Sequence, residues 1–302
     1  MSWNPGSPPD LSGRTYAVTG GNSGIGYFIS EQLAAAGAHV VILGRNPERL
    51  RTAVAAISGQ VGAAAEVSTI PLDLADLESV ASAAEALVRL GRVDALVENA
   101  GTTSPGRTRQ TTKDGFELAL GTNHLGHFAL TALAMPVLKA TPGSRVVPTG
   151  SLISLLVKFD LDDLQSERKY SEFRAYGLSK HAVTSFGLEL DRRLRASNVD
   201  VHCVLTHPGL CLDGGSPWRE GISKPSRLAR LSPVTQGEDQ GAWPAVRAAT
   251  DPSAVGGEYY GPSRATAGRP VRYRATAADR DPAKAARLWE LSEKLTGVVF
   301  TV

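Results

Sequence analysis

Thr15-Tyr16-Ala17-Val18-Thr19-Gly20-Gly21-Asn22-Ser23-Gly24-Ile25-Gly26 is the stretch that decides the fold. Its first five residues form a short β-rich run, the glycines follow at once, and a segment of helical period, about Ile25–Ala36, begins without a break. Glycine lets a backbone turn sharply between strand and helix and come close to a phosphate, while the first N–H groups of the helix remain free to meet an anion. Such a cluster also suits any tight strand-to-helix turn, so its meaning depends on what surrounds it.

Outward from this turn, β-rich runs alternate with longer Ala-rich segments of helical period as far as about Leu205. The candidate strands are Thr15–Thr19, His39–Leu43, Val67–Leu72, Val93–Val97, Arg145–Thr149 and Val199–Leu205. Helical segments lie between and after them at Ile25–Ala36, Pro47–Ile57, Leu77–Leu90, Gly115–Lys139 and Phe173–Arg195. Alternation of this kind predicts βαβ units on a parallel sheet, and nearly continuous apolar runs such as AHVVIL predict strands covered on both faces. The expected fold class is therefore α/β, a doubly wound parallel sheet of Rossmann type. A single domain over residues 1–302 is expected, with an irregular Gly-, Pro- and Ser-rich segment at about 210–237, a candidate substrate lid, and a C-terminal extension at about 262–302. Within that extension Pro262–Pro282 reads as irregular, and a closing helix is expected near Ala283–Leu295.

Composition narrows the partners. The 302 residues carry a formal net charge of only +2 with 21% charged residues, so no basic stripe points to nucleic acid or to a membrane surface. Cys203 and Cys211 form no CxxC pair and no His/Cys cluster at metal spacing, so neither a disulfide scaffold nor a metal site is indicated. No apolar stretch approaches the roughly 18 residues that span a bilayer, and the N-terminus lacks a cationic and apolar leader pattern. A cytoplasmic protein acting on small molecules is expected.

The sharper signals are local. After the second strand comes Gly44-Arg45-Asn46, where a carboxylate would favour an NAD ribose; a guanidinium instead suits the extra phosphate of NADP, although a solvated arginine at a strand end is common. Asp73, followed by Leu74 after the third strand, offers an acceptor for an adenine amine, or else caps the next helix together with Asp76. Tyr176-Gly177-Leu178-Ser179-Lys180 places a phenol and an ammonium four residues apart, on one helix face. Free tyrosine titrates near 10, and lowering that to about 7 takes about 4 kcal/mol, which a neighbouring ammonium and a nicotinamide cation together can supply. Tyr176 would then exchange a proton with a carbonyl or alcohol oxygen as hydride moves.

Together these motifs resemble the short-chain dehydrogenase/reductase family, in particular its retinol-dehydrogenase-like branch and bacterial NADP-dependent relatives. The resemblance covers nearly the whole chain. It rests on TGGNSGIG at 19–26, Asn99-Ala100-Gly101, Asn123 in TNHLGHF, TGS ending at Ser151, YGLSK at 176–180 and HPG at 207–209. It implies an oxidoreductase that moves hydride between NADP(H) and a carbonyl or alcohol carbon of a small molecule. Asn123, Ser151, Tyr176 and Lys180 would be catalytic. Ser151, with Ser154 as the alternative, would hold the substrate oxygen. Lys180 would bind the ribose hydroxyls, and Asn123 would fix a water through which protons reach Lys180. Cofactor contacts would come from Gly20, Asn22, Ser23, Gly24, Ile25, Gly26, Arg45, Asp73, Leu74, Asn99, Ala100, Gly101, Tyr176, Lys180, Pro208 and Gly209. Pairing through the long helices Gly115–Lys139 and Phe173–Arg195 would give a dimer or tetramer, with a monomer left open.

Three residues depart from the family pattern. Pro148 stands at a strand end where asparagine is common and removes a ladder hydrogen bond. Glu98 replaces the first asparagine of an NNAG motif, and Asp213 stands where a threonine is usual. These departures keep two other readings in view: redox-neutral epimerisation or dehydration on the same Tyr/Lys pair, and a catalytically silent NADP-binding protein. For His124, His127, His181 and His207, packing and local hydrogen bonding are more economical readings than metal binding.

Overall fold

The computed structural model describes residues 3–226 and 234–302. The elements run β1 Thr15–Thr19, α1 Gly24–Ala35, β2 His39–Gly44, α2 Pro47–Val61, β3 Val67–Pro71, α3 Leu77–Arg89, β4 Ala95–Glu98, α4 Leu118–Leu120, α5 Gly126–Ala140, β5 Ser144–Pro148, α6 Glu172–Ala196, β6 Val201–Cys203, β7 Leu205–Thr206, α7 Glu238–Gly241, α8 Trp243–Thr250, β8 Tyr259–Pro262, β9 Pro270–Tyr273 and α9 Pro282–Thr296.

Six strands pair in parallel in the order β3-β2-β1-β4-β5-β6. The order reverses between β1 and β4, which opens a crevice at the carboxyl ends of these two strands, the general ligand position of such sheets. β7 pairs in parallel with β8, and β9 returns antiparallel along β8. Core residues of β1 and β2 alternate between two apolar clusters. One lies under α3, α5, α6 and α9, the other under α1, α2 and α8. α9 and the residues after it are locked to α5 by edge-to-face packing of Trp289 and Phe300 on Phe128, with centroids 5.4 Å apart in each pair.

The doubly wound sheet matches the reading of the sequence, with three corrections. Pro262–Pro282 is not wholly irregular, because β9 lies within it. The helix expected over Gly115–Lys139 begins only at Leu118 and is interrupted by a π-helical segment, Gly121–Leu125. The strand expected over Val199–Leu205 is split into β6 and β7. Of the segment at about 210–237, residues 227–233 lie outside the described part; the rest holds one short 3-10 turn, Asp213–Gly215.

Candidate active site

The cradle is built by glycines at the end of β1. Gly20 adopts φ +65°, and a Cβ there would stand 3.1 Å from Ala100. At Gly26 a Cβ would meet the Gly20 carbonyl oxygen at 2.3 Å and Asn99 Nδ2 at 2.4 Å, so only glycine lets loop and helix close together. Asn99 Nδ2 donates to the Thr19 carbonyl (3.2 Å), and the Ala100 N–H donates to Thr19 Oγ1 (3.0 Å), tying the end of β4 to this loop. Ser23 precedes α1 without a side-chain cap bond, and the first turn carries no acidic residue. The first N–H groups of α1 thus receive no side-chain cap, a fit for an anionic pyrophosphate. Glu238, which the sequence argument overlooked, brings Oε1 to 3.3 Å from where a Gly24 Cβ would lie. Burial, then Asp213 and Asp239, push its carboxyl up to about 7.

On the adenosine side, Arg45 follows β2, is exposed, and makes no ion pair among the described residues. It edges an open groove between α2 and β3 shared with Leu50, Arg51, Val54 and Thr69. Asn22 is buried over Gly44, whose Cβ position is 2.6 Å from Asn22 Oδ1. Asp73 Oδ1 accepts from the Ala75 N–H (3.0 Å), and Asp76 caps α3. Leu74 is buried and lays its carbonyl against Gly126 at the start of α5.

Ser151, Tyr176, Lys180 and Asn123 converge at the carboxyl edge of β4 and β5. Ser151 follows β5 and caps a 3-10 turn, Leu152–Leu155, by accepting from the Ile153 N–H. Ser154 instead turns its hydroxyl back to the Ser151 carbonyl (2.9 Å). Tyr176 lies near the start of α6, where burial raises its phenol above the ordinary range and the adjacent Ser151 hydroxyl opposes that rise. The ammonium of Lys180 stands 5.9 Å from the centre of the Tyr176 ring and donates to the Thr149 carbonyl at 2.7 Å. Burial pushes Lys180 down to about 8, against the pull of Glu98. The acidic phenol sought from the sequence is thus not produced by the chain's own groups.

Asn123 occupies the π-helical segment, a distortion frequent at functional sites. Its amide closes a two-way link with Thr102, accepting from the N–H (2.7 Å) and donating to the carbonyl (3.0 Å), and also donates to Ser179 Oγ at 2.9 Å. Gly101 lies between Asn123 and Lys180, and its Cβ position is 2.9 Å from Asn123 Oδ1 and 3.8 Å from Lys180 Nζ. Behind them, His127 Nδ1 donates to the Asn123 carbonyl (3.0 Å), a contact that fixes the tautomer, and Thr19 Oγ1 donates to Nε2 (2.9 Å). Burial pushes His127 down to about 4, so it is neutral. This link between the glycine loop and the π segment joins residues far apart in sequence and leaves no local signal.

Two of the departures from the family pattern, Pro148 and Glu98, are accommodated. Pro148 pairs opposite Glu98, and the ladder resumes with the Thr149 N–H donating to the Glu98 carbonyl at 3.1 Å. The Glu98 carboxyl is buried, accepts from Thr131 Oγ1, and is pushed up to about 8 by burial, with Lys180 opposing. Pro208 and Gly209 follow β7; Gly209 takes φ +75°, and the Pro208 carbonyl accepts from Gln236 Nε2 at 2.8 Å. His124 bonds Ser292 Oγ, whereas His207 packs edge-on to Tyr273, and its ring nitrogens have no hydrogen-bond partner among the described residues.

Comparison with known proteins agrees with this geometry. Residues 14–212 match the family model described as short chain dehydrogenase. The chain is 39% identical to retinol dehydrogenase 13 of Homo sapiens over 206 residues, which is 68% of this chain but 61% of that protein. It is 36% identical to polyprenol dehydrogenase of Mus musculus, covering 96% of this chain and 85% of the relative. A crystal structure of an uncharacterized protein from Mycobacterium paratuberculosis superposes with a TM-score of 0.81 at 31% identity, over 100% of both chains. A doubly wound sheet with a Ser, Tyr and Lys cluster beside a glycine cradle defines a nicotinamide-dependent oxidoreductase, and this chain belongs to the short-chain dehydrogenase/reductase family. Within it the protein is retinol-dehydrogenase-like and acts on CH–OH or C=O groups.

Proposed function

We propose that the protein is an NADP(H)-dependent reductase of apolar aldehydes or ketones that can also run the reverse alcohol oxidation. The observation that carries this reading is the Tyr176 phenol beside the Ser151 hydroxyl, with the buried ammonium of Lys180 5.9 Å from the centre of the same ring. Gly20, Ser23, Gly24, Ile25 and Gly26 would hold the pyrophosphate of the cofactor. Asn99, Ala100, Gly101, Pro208 and Gly209 would flank its nicotinamide half, and Asn22, Asp73 and Leu74 its adenosine half. Arg45, exposed and without an ion pair among the described residues, supports the 2′-phosphate form. When bound, the reduced cofactor supplies hydride, and its oxidised ring supplies the positive charge that favours the tyrosinate. Ser151 donates a hydrogen bond to the substrate oxygen. Tyr176 delivers the proton to that oxygen as the carbon is reduced, and it takes one from the alcohol in reverse. Lys180 holds the ribose hydroxyls and lowers the cost of charge on the phenol.

The substrate class is supported by exposed apolar side chains in the segments next to the site. Leu155, Leu156 and Phe173, in the stretches that follow Ser151 and precede Tyr176 in sequence, are 58%, 73% and 52% exposed, and Leu210, Leu212 and Trp218 are exposed on the segment read as a lid. The names of the retinol and polyprenol dehydrogenases point the same way. The test is to incubate the protein with NADPH or NADH and a panel of apolar aldehydes and ketones, following cofactor absorbance and alcohol formation together. NADPH oxidation matched one-to-one by alcohol supports the reading. Conversion without net cofactor oxidation would point to redox-neutral chemistry, and tight NADPH binding without turnover to a silent binder.

A further inference from the structure

His181 follows Lys180 directly, and its ring is engaged on every side. Nε2 lies 2.7 Å from the Val157 carbonyl, and Nδ1 lies 2.5 Å from Asp279 Oδ1, with both side chains buried. A carbonyl only accepts, so Nε2 carries a proton, and one further proton lies between Nδ1 and the carboxyl. Phe159 stacks flat on the imidazole, with centroids 4.9 Å apart and planes 8° from parallel. Asp279 is oriented in turn by Thr276, whose hydroxyl donates to Oδ2 at 2.8 Å and accepts from the Asp279 N–H at 3.1 Å. Val157 is held a second time through its side chain. A Cβ on Gly177, the residue after Tyr176, would come within 2.4 Å of Val157 Cγ2, so the loop packs directly on α6 behind the phenol.

These contacts join three segments that sequence keeps apart: the turn of α6 that carries Lys180, residues 152–159 leading away from Ser151, and the stretch before α9. We propose that His181 and Asp279 are positioning residues, a buried brace through which the C-terminal extension sets the substrate-side wall at residues 152–159 against Tyr176. The proposal rests on the reading above that Ser151 holds the substrate oxygen, which makes the residues that follow it the substrate-side wall. Because the brace acts on position rather than on proton transfer, its loss misplaces substrate while leaving the cofactor cradle and the titration of the site unchanged.

The brace is tested in the full chain with Asp279→Ala, Asp279→Asn and Thr276→Val, using decanal and NADPH and, independently of activity, hydrogen exchange of residues 152–159. Asparagine can donate to Nδ1 and accept from Thr276, which preserves the geometry. Asp279→Ala is expected to lower kcat/KM for decanal roughly ten- to hundredfold, with NADPH affinity and the pH profile unchanged and exchange at 152–159 faster. Asp279→Asn is expected to stay within about threefold of wild type, and Thr276→Val to fall between the two. If Asp279→Ala does not fold, Thr276→Val carries the test by the same readouts. The brace is overturned if folded Asp279→Ala keeps wild-type kcat/KM or exchange, if Asp279→Asn falls as far as alanine, or if the effect appears only as a lower melting temperature. Wild type inactive on decanal would count against the proposed function, and the exchange comparison would still decide the brace.

Discussion

Lys180 Nζ donates a 2.7 Å hydrogen bond to the carbonyl of Thr149, whose own N–H donates to the carbonyl of Glu98. The ammonium that faces Tyr176 is thereby fixed to the ends of two neighbouring strands, and the Glu98 carboxyl lies within its electrostatic reach.

A pH prediction follows from that pairing. Burial pushes Lys180 down to about 8 while Glu98, whose carboxyl ionises over the same pH range, holds it up, so replacing that carboxyl removes the upward pull. The ammonium should then lose its proton at lower pH. In Glu98→Gln the alkaline limb of the kcat/KM profile should move to lower pH by about one pH unit, making the variant several-fold slower than wild type near pH 8. An alkaline limb at the wild-type position would show that Glu98 does not act on Lys180.

Glu238 gives a prediction for cofactor binding. Its carboxyl is pushed up to about 7 and stands beside Gly24, where the pyrophosphate is expected. As pH rises through 7 the carboxyl ionises and repels that anion. Fluorescence titration of wild type should therefore give weaker NADPH binding at pH 8 than at pH 6, by roughly threefold or more, whereas Glu238→Gln should bind about equally at both. Equal pH dependence in the two proteins would contradict this.

Arg45 separates the two cofactors. Replacing it with alanine should weaken NADPH binding by about tenfold or more while changing NADH binding by less than about twofold, because only NADPH carries the phosphate that the guanidinium can hold. Parallel losses for both cofactors would remove Arg45 from the phosphate site.

Legibility differed from element to element for physical reasons. β1 and β2 could be read because strands covered on both faces are continuous apolar runs, and the turn after β1 because its glycines are sterically required. β9 was missed: it is short, begins with Pro270, and leaves Val271 and Arg272 exposed at an edge, so neither hydrophobicity nor alternation marks it. The π segment around Asn123 keeps a helical apolar pattern and hides its extra residue per turn. Ser151, Tyr176 and Lys180 were legible as motifs, but the direction in which burial moves the phenol depends on packing that no short motif records. His181 and Asp279 stand 98 positions apart, and only the tertiary fold brings them together.

The central claim is that Tyr176 transfers the proton that accompanies hydride. Single-turnover oxidation of bound NADPH by a reducible aldehyde, compared between wild type and Tyr176→Phe, tests it most directly. The account predicts that the phenylalanine variant binds NADPH with affinity within a few-fold of wild type yet oxidises it at least about a thousandfold more slowly. An oxidation rate in that variant within about tenfold of wild type would contradict the account.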